Sequence, residues 1–345
     1  MCAAWLNESK MSNFIKQTII FLIGLQLSGA ALAGQVDISR AYKPTRGPYA
    51  VEVKDSVALP FPDLDKNLSL RISFPVSKDA VELYPVVIFS HGGRCLRERY
   101  ADFAEHWASH GYIVIQPAHM DSRSIPPPKI RGMQMMNESV RTRRLDMRFI
   151  LDAFGEIQKL VPEIDGRLDA EHVAASGHSL GGGTAMAVTG LVMEDRREGI
   201  PFGMRDDRFD ALLLITNPGN SPMMPDDPWR MVSLPTFVAT GTNDYSSLVR
   251  HINKSESIFK FPDGAVFAET PNHYLFIDDM NHYLGGLICK ELKDDEPDYA
   301  AAELISGVST AFLDAYLKDS AMALEFLNAT KMPPSASPRA RLELR

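Results

Sequence analysis

The sequence predicts an α/β fold: a mostly parallel, doubly wound sheet with antiparallel N-terminal strands and helices on both faces. Three observations carry that expectation. Val86-Val87-Ile88-Phe89 and Tyr112-Ile113-Val114-Ile115 are continuous apolar runs, as central strands covered on both faces require. Between them, Arg97 to His110 has the period of a helix, so strand, helix and strand alternate. Ahead of them, residues 49–61 and 67–74 alternate apolar with polar side chains, the pattern of antiparallel strands at a sheet edge.

The alternation continues along the chain. A helix is expected at about 138–160, a strand at 172–177, a helix from 180, and strands at 210–216, 235–240 and 273–278. Helices fill roughly 297–329. Two irregular insertions interrupt this order. The first, near 120–137, holds Pro126-Pro127-Pro128 with Met133, Met135 and Met136; the second, near 194–232, holds Met204, Met223, Met224 and Met231. Long insertions in a compact domain tend to be lids or binding loops. Their methionines suit an adaptable apolar wall, and ordinary packing against the core suits them equally. No repeat and no linker is visible, so one domain is expected over 34–330, with 331–345, rich in Pro, Ser and Arg, as a flexible tail.

Composition narrows the function. The chain has 345 residues, 45% of them hydrophobic and 23% charged, with a formal net charge of −8, which is ordinary for a globular protein and unlike a nucleic-acid binder. Its densest basic patch, Arg141, Arg143, Arg144 and Arg148, has helical spacing with acids nearby and reads as a solvated helix face. At the N-terminus, Lys16 precedes the apolar run Thr18 to Leu27, and Ala31-Leu32-Ala33 offers a small-x-small cleavage site before Gly34. Residues 1–33 therefore read as a secretory signal, with Met11 as an alternative start, and the mature protein is expected in the periplasm or outside the cell. The apolar run is too short for a stable membrane span. Cys2 would leave with the signal. Cys95 and Cys289 remain, and the sequence leaves open whether they pair or stay free. Nothing supports a metal site: there is no Cys-x-x-Cys, and the helix-spaced pair His106 and His110 reads as packing near a helix end.

The chemistry is carried by Gly177-His178-Ser179-Leu180-Gly181. It fits Gly-x-Ser-x-Gly, follows the apolar run His172 to Ser176, and precedes the small-residue stretch Gly182 to Val188. A sharp strand-to-helix turn there holds Ser179 in a strained position, with room only for glycine at 177 and 181. The helix that follows aims its positive end at the site. A serine nucleophile needs a base, and the base an orienting acid. Asp244 follows the strand Pro235 to Thr240 and the turn Gly241-Thr242-Asn243, where an orienting acid should lie. His282 lies in the loop after the next strand, Tyr274 to Ile277. The competing histidines are weaker: His273 precedes its strand, and His251 falls in a helical pattern. Among acids, Asp226 and Asp227 lie in an insertion, while Asp278 and Asp279 are too near His282 in sequence to reach its far ring nitrogen. For the oxyanion, the backbone N–H of Leu180 is one donor. The loop Ser90-His91-Gly92-Gly93-Arg94 supplies the second, from Gly93 with Arg94 as the fallback. His91, Arg94, His119 and His178 are candidate pocket residues; a packing role is the rival reading for His119 and His178.

The motifs Phe89-Ser90-His91-Gly92-Gly93, Ser109 to Val114, Gly177 to Gly182 and Gly241-Thr242-Asn243-Asp244 resemble those of the α/β-hydrolase superfamily over about residues 48–328. Within it the chain is similar to dienelactone-hydrolase-like and platelet-activating-factor-acetylhydrolase-like esterases. The resemblance implies hydrolysis of a small-molecule or lipid-like carboxylic ester through an acyl-enzyme, without a cofactor, with Ser179, Asp244 and His282 as the triad. Lipases and polyester hydrolases share the layout. Polyester hydrolases and cutinases typically place Trp and Met beside the serine, where this chain has His178 and Leu180. A non-catalytic member of the fold used for binding is the rival of another class.

Overall fold

The computed structural model describes residues 42, 45–78, 82–195, 200–216, 225, 228–244, 270–292, 295–328 and 339–344. The expected signal segment 1–33 with Met11, His251, Asp226, Asp227 and residues 331–338 lie outside them, as does much of the second insertion.

In chain order the elements are β1 (Ala50–Phe61), β2 (Lys66–Val76), β3 (Tyr84–Ser90), α1 (Ala101–Ser109), β4 (Ile113–Pro117), α2 (Gly132–Asp152), α3 (Phe154–Leu160), β5 (Leu168–His178) and α4 (Leu180–Thr189). After these come β6 (Met193–Asp195), β7 (Ile200–Phe202), β8 (Ala211–Ile215), β9 (Thr236–Asn243), β10 (Asn272–Asn281), α5 (Tyr299–Leu317), α6 (Ala321–Asn328) and β11 (Ala340–Leu344). Among the described residues, nine strands form one sheet in the order β1-β2-β4-β3-β5-β8-β9-β10-β11. The run from β4 to β10 is parallel, β1 and β2 are antiparallel at one edge, and β11 is antiparallel to β10 at the other. This is the mostly parallel, doubly wound sheet of the α/β-hydrolase fold.

The apolar strands are continuous because both faces are covered. Val86 and Ile88 of β3 belong to a core shared with Met147 and Ile150 of α2 and Met186 and Val188 of α4. Their neighbours Val87 and Phe89 belong to the core on the other face, with Phe103 and Trp107 of α1 and Phe312 and Leu313 of α5. Successive residues of one strand thus feed opposite cores.

Two expectations are corrected. The helix expected from about 138 begins at Gly132 (φ 59°), so Met133, Met135 and Met136 lie on its first turns rather than in a loop. Polar Gln134, Asn137 and Glu138 hide the helical period there. The tail expected to be flexible is in part a strand: Leu342 pairs with Leu275 and is buried against the sheet. The signal was present in the alternation Arg341-Leu342-Glu343-Leu344. Among the described residues, no helix is long and apolar enough to cross a membrane.

Candidate active site

The turn from β5 into α4 holds Ser179 at φ 54°, ψ −118°, outside the regions a non-glycine residue ordinarily occupies. Ser179 is half-buried, and its carbonyl accepts the first bond of the helix from Gly183 N–H at 3.0 Å. The flanking glycines have a steric reason. A Cβ on Gly177 would strike the backbone of Gly181, and one on Gly181 would strike the carbonyl of Ser90. The elbow is therefore locked against the end of β3, which is where the loop 90–94 begins.

Asp244 is the residue after β9, and His282 the residue after β10, at the same end of the parallel sheet as Ser179. The structure brings the two together: His282 Nδ1 lies 2.7 Å from Asp244 Oδ1, both residues buried. The other carboxylate oxygen accepts from Thr240 Oγ1 at 2.8 Å, so the acid is held from two sides. The strand before His282 is longer than expected and takes in Asp278 and Asp279, with a register irregularity between Ile277 and Asn281. His273 lies near the start of β10, away from this cluster, with Nε2 2.7 Å from Tyr316 Oη.

Gly93 and Leu180 are neighbours: a Cβ built on Gly93 would lie 3.2 Å from Leu180 Cδ2. Arg94 N–H donates to Asp121 Oδ2 at 3.0 Å, which directs it away from the site and leaves Gly93 as the donor this loop offers. The Arg94 side chain is exposed. His91, His119 and His178 do not line an open surface; each is fully buried. Burial holds all three imidazoles well below the ordinary histidine range, so they are neutral.

The loop rests on a residue misread as surface. Arg143 is fully buried, not part of a solvated helix face. Its guanidinium donates to both carboxylate oxygens of Asp121 at 2.9 Å, to the His91 carbonyl at 2.6 Å and to the Gly92 carbonyl at 3.3 Å. Burial alone would raise the Asp121 carboxyl, but the charge and N–H groups of Arg143 outweigh it and hold it well below the usual range. A bidentate pair thus fixes successive backbone groups from His91 to Arg94. The sequence signal for Asp121 was its place just past the end of β4; Arg143 gave none, because its partner lies 22 residues away.

Beneath Arg143 lies a second chain of bonds. His119 Nε2 is 2.9 Å from Ser90 Oγ, and His119 Nδ1 is 2.9 Å from Asp146 Oδ2. Lys66 donates to Asp146 Oδ1 at 2.6 Å. Burial raises the Asp146 carboxyl to about 6 against the pull of Lys66.

Cys95 and Cys289 form a disulfide, with Cα atoms 5.0 Å apart, that joins the loop after β3 to the loop after His282. Donor atoms of Cys95, His178 and Cys289 lie within 4.8 Å of one another, but the sulfurs are bonded to each other and supply no thiolate.

Comparison with known proteins adds a family likeness. Residues 46–202, from β1 through β7 and including the Ser179 turn, match the family model described as Chlorophyllase. The chain is also 33% identical over 113 residues to the Chenopodium album protein named Chlorophyllase type 0, a stretch covering 33% of this chain and 30% of that relative. These matches are a likeness to chlorophyllases over less than half of the chain and leave the finer likeness to dienelactone-hydrolase-like and acetylhydrolase-like esterases unaddressed. Both Asp244 and His282 lie beyond the matched family region.

Proposed function

We propose that the chain is a carboxylic ester hydrolase that works through a Ser179 acyl-enzyme. His282 takes the Ser179 hydroxyl proton as the oxygen attacks the ester carbonyl, and Asp244 orients the imidazole and stabilises its charged form. The N–H groups of Leu180 and Gly93 receive the negative oxygen. The protonated His282 then gives its proton to the departing alcohol, and water, deprotonated by the same imidazole, releases the acid. The observation that carries this reading is the strained Ser179 turn at the strand ends that also present the 2.7 Å Asp244–His282 pair.

The test is Ser179→Ala assayed on p-nitrophenyl esters of increasing acyl length. The expected result is loss of turnover with an unchanged melting profile; undiminished turnover overturns the reading. The match to chlorophyllases over 46–202 favours a second, finer reading, in which the ester is of the chlorophyll type. Adding chlorophyll to the panel tests it, and faster cleavage of the simple esters alone counts against it. Export is part of the proposal, supported by the N-terminal apolar run and by the Cys95–Cys289 bond, which suits an oxidising compartment.

A further inference from the structure

The nucleophile, the base and the oxyanion loop come from three separate strand ends, so something must fix them relative to one another. A buried chain of hydrogen bonds runs between all three. Gly92 N–H donates to the Tyr100 hydroxyl oxygen at 3.0 Å. Tyr100 Oη is 2.7 Å from His178 Nδ1, and His178 Nε2 is 3.0 Å from the backbone carbonyl of His282. A carbonyl only accepts, so Nε2 carries the proton; a neutral ring then leaves Nδ1 as an acceptor, and the Tyr100 O–H donates to it. The chain is satisfied in one direction from end to end, and Tyr100 and His178 are both fully buried.

The arrangement ties specific parts of the site. His178 is the residue before Ser179, so its ring couples the backbone of the turn to the backbone of the base. Gly92 is the residue before Gly93, so Tyr100 couples that assembly to the oxyanion loop. Gly92 has no side chain for a reason: a Cβ there would lie 2.6 Å from His178 Nδ1 and 2.9 Å from Tyr100 Oη. Tyr100 is itself wedged against Phe89, ring centroids 4.9 Å apart, and its oxygen sits 3.0 Å from Cys289 Sγ of the disulfide.

We propose that Tyr100 and His178 are positioning residues, a buried relay that sets His282 and the Gly93 loop in register with Ser179. The proposal rests on the ester-hydrolase reading. Neither residue touches substrate; they act through the backbone of those that do. A displacement of about 1 Å at a reacting group costs on the order of a hundredfold in rate, so the relay's contribution belongs in kcat rather than KM.

Three variants test it. Tyr100→Phe keeps the ring and removes only the hydroxyl. His178→Gln retains an N–H that reaches the ε position and the His282 carbonyl, whereas His178→Asn reaches only toward Tyr100. The expected result is a kcat lowered about 10- to 100-fold in Tyr100→Phe and His178→Asn with KM held within about twofold, and His178→Gln closer to the parent. A structural role alone lowers the melting temperature of the variants and leaves kcat per folded molecule where it was. If Tyr100→Phe does not fold, the order of His178→Gln above His178→Asn decides. Parent-like kcat in the folded variants, with Ser179→Ala inactive, overturns the relay alone. Turnover that survives Ser179→Ala overturns the ester-hydrolase reading instead.

Discussion

Among the described residues, two sets of serine, histidine and aspartate flank this one sheet. Ser90, His119 and Asp146 are joined by hydrogen bonds of 2.9 Å and 2.9 Å, all three fully buried, with Ser90 ending β3 on an ordinary backbone. Ser179, Asp244 and His282 lie at strand ends, with a 2.7 Å acid–base bond and a serine that is half-buried at positive φ. The histidine–carboxylate bond is common to both sets and does not separate them. What separates them is access and the strained turn. Ser90 Oγ is also held by Arg143 at 3.2 Å, which commits it to supporting the loop above. On the proposed function, the same three residue types serve as chemistry in one place and as scaffold in the other.

The sharpest way to break this contrast is to delete each hydroxyl. Ser179→Ala is expected to lower kcat by at least about 10⁴-fold with little change in melting temperature. Ser90→Ala is expected to do the reverse, costing about 1–3 kcal/mol of stability because His119 and Arg143 lose a buried partner, while most turnover remains. Equal losses of activity in the two variants would erase the distinction.

The acids give the next largest contrast. Asp244→Asn is expected to cost about 10³- to 10⁴-fold in kcat, since the amide cannot hold the imidazole in the working tautomer. Asp146→Asn is expected to act on stability, with a definite pH sign. The Asp146 carboxyl is raised to about 6 from an ordinary value of 3.8. A group raised in the folded state favours folding at low pH, and that contribution is lost as pH rises through about 6. Urea midpoints of parent and Asp146→Asn should therefore shift against the parent between pH 4 and 6; a difference that stays flat with pH contradicts the assignment.

The disulfide is expected to act on stability more than on activity. Cys95→Ser with Cys289→Ser removes a bond spanning 194 residues and should cost about 2–5 kcal/mol of stability. Activity at 25 °C should fall by less than in the Tyr100 and His178 variants, because the relay persists. A larger fall in the cysteine pair would make the covalent tie, not the relay, the element that aligns the loops.

The two regions also differed in how much of them could be read from the chain. The Ser179 turn was legible because its constraint is local: a Gly-x-Ser-x-Gly between an apolar strand and a small-residue helix leaves few conformations. Asp244 and His282 were legible by order, since each follows a strand at the same end of a parallel sheet. The supporting network was not. Arg143 pairs with Asp121 and with backbone carbonyls of residues 91 and 92, and those contacts exist only once α2 is docked. Helical spacing with nearby acids looks the same on a solvated face as on a buried one. Tyr100 likewise meets His178 across 78 residues, a separation no periodicity encodes. In the fold, the apolar runs gave the parallel strands, while the β11 pairing was overlooked because a short alternating segment followed a Pro- and Ser-rich stretch.

The central claim is that Ser179, and not Ser90, is the nucleophile. The direct measurement is labelling with a fluorophosphonate followed by peptide mapping of the adduct. The account predicts a single modified serine at 179, absent in Ser179→Ala and unchanged in site in Ser90→Ala. No labelling of the folded protein, or an adduct that maps to another serine, contradicts it.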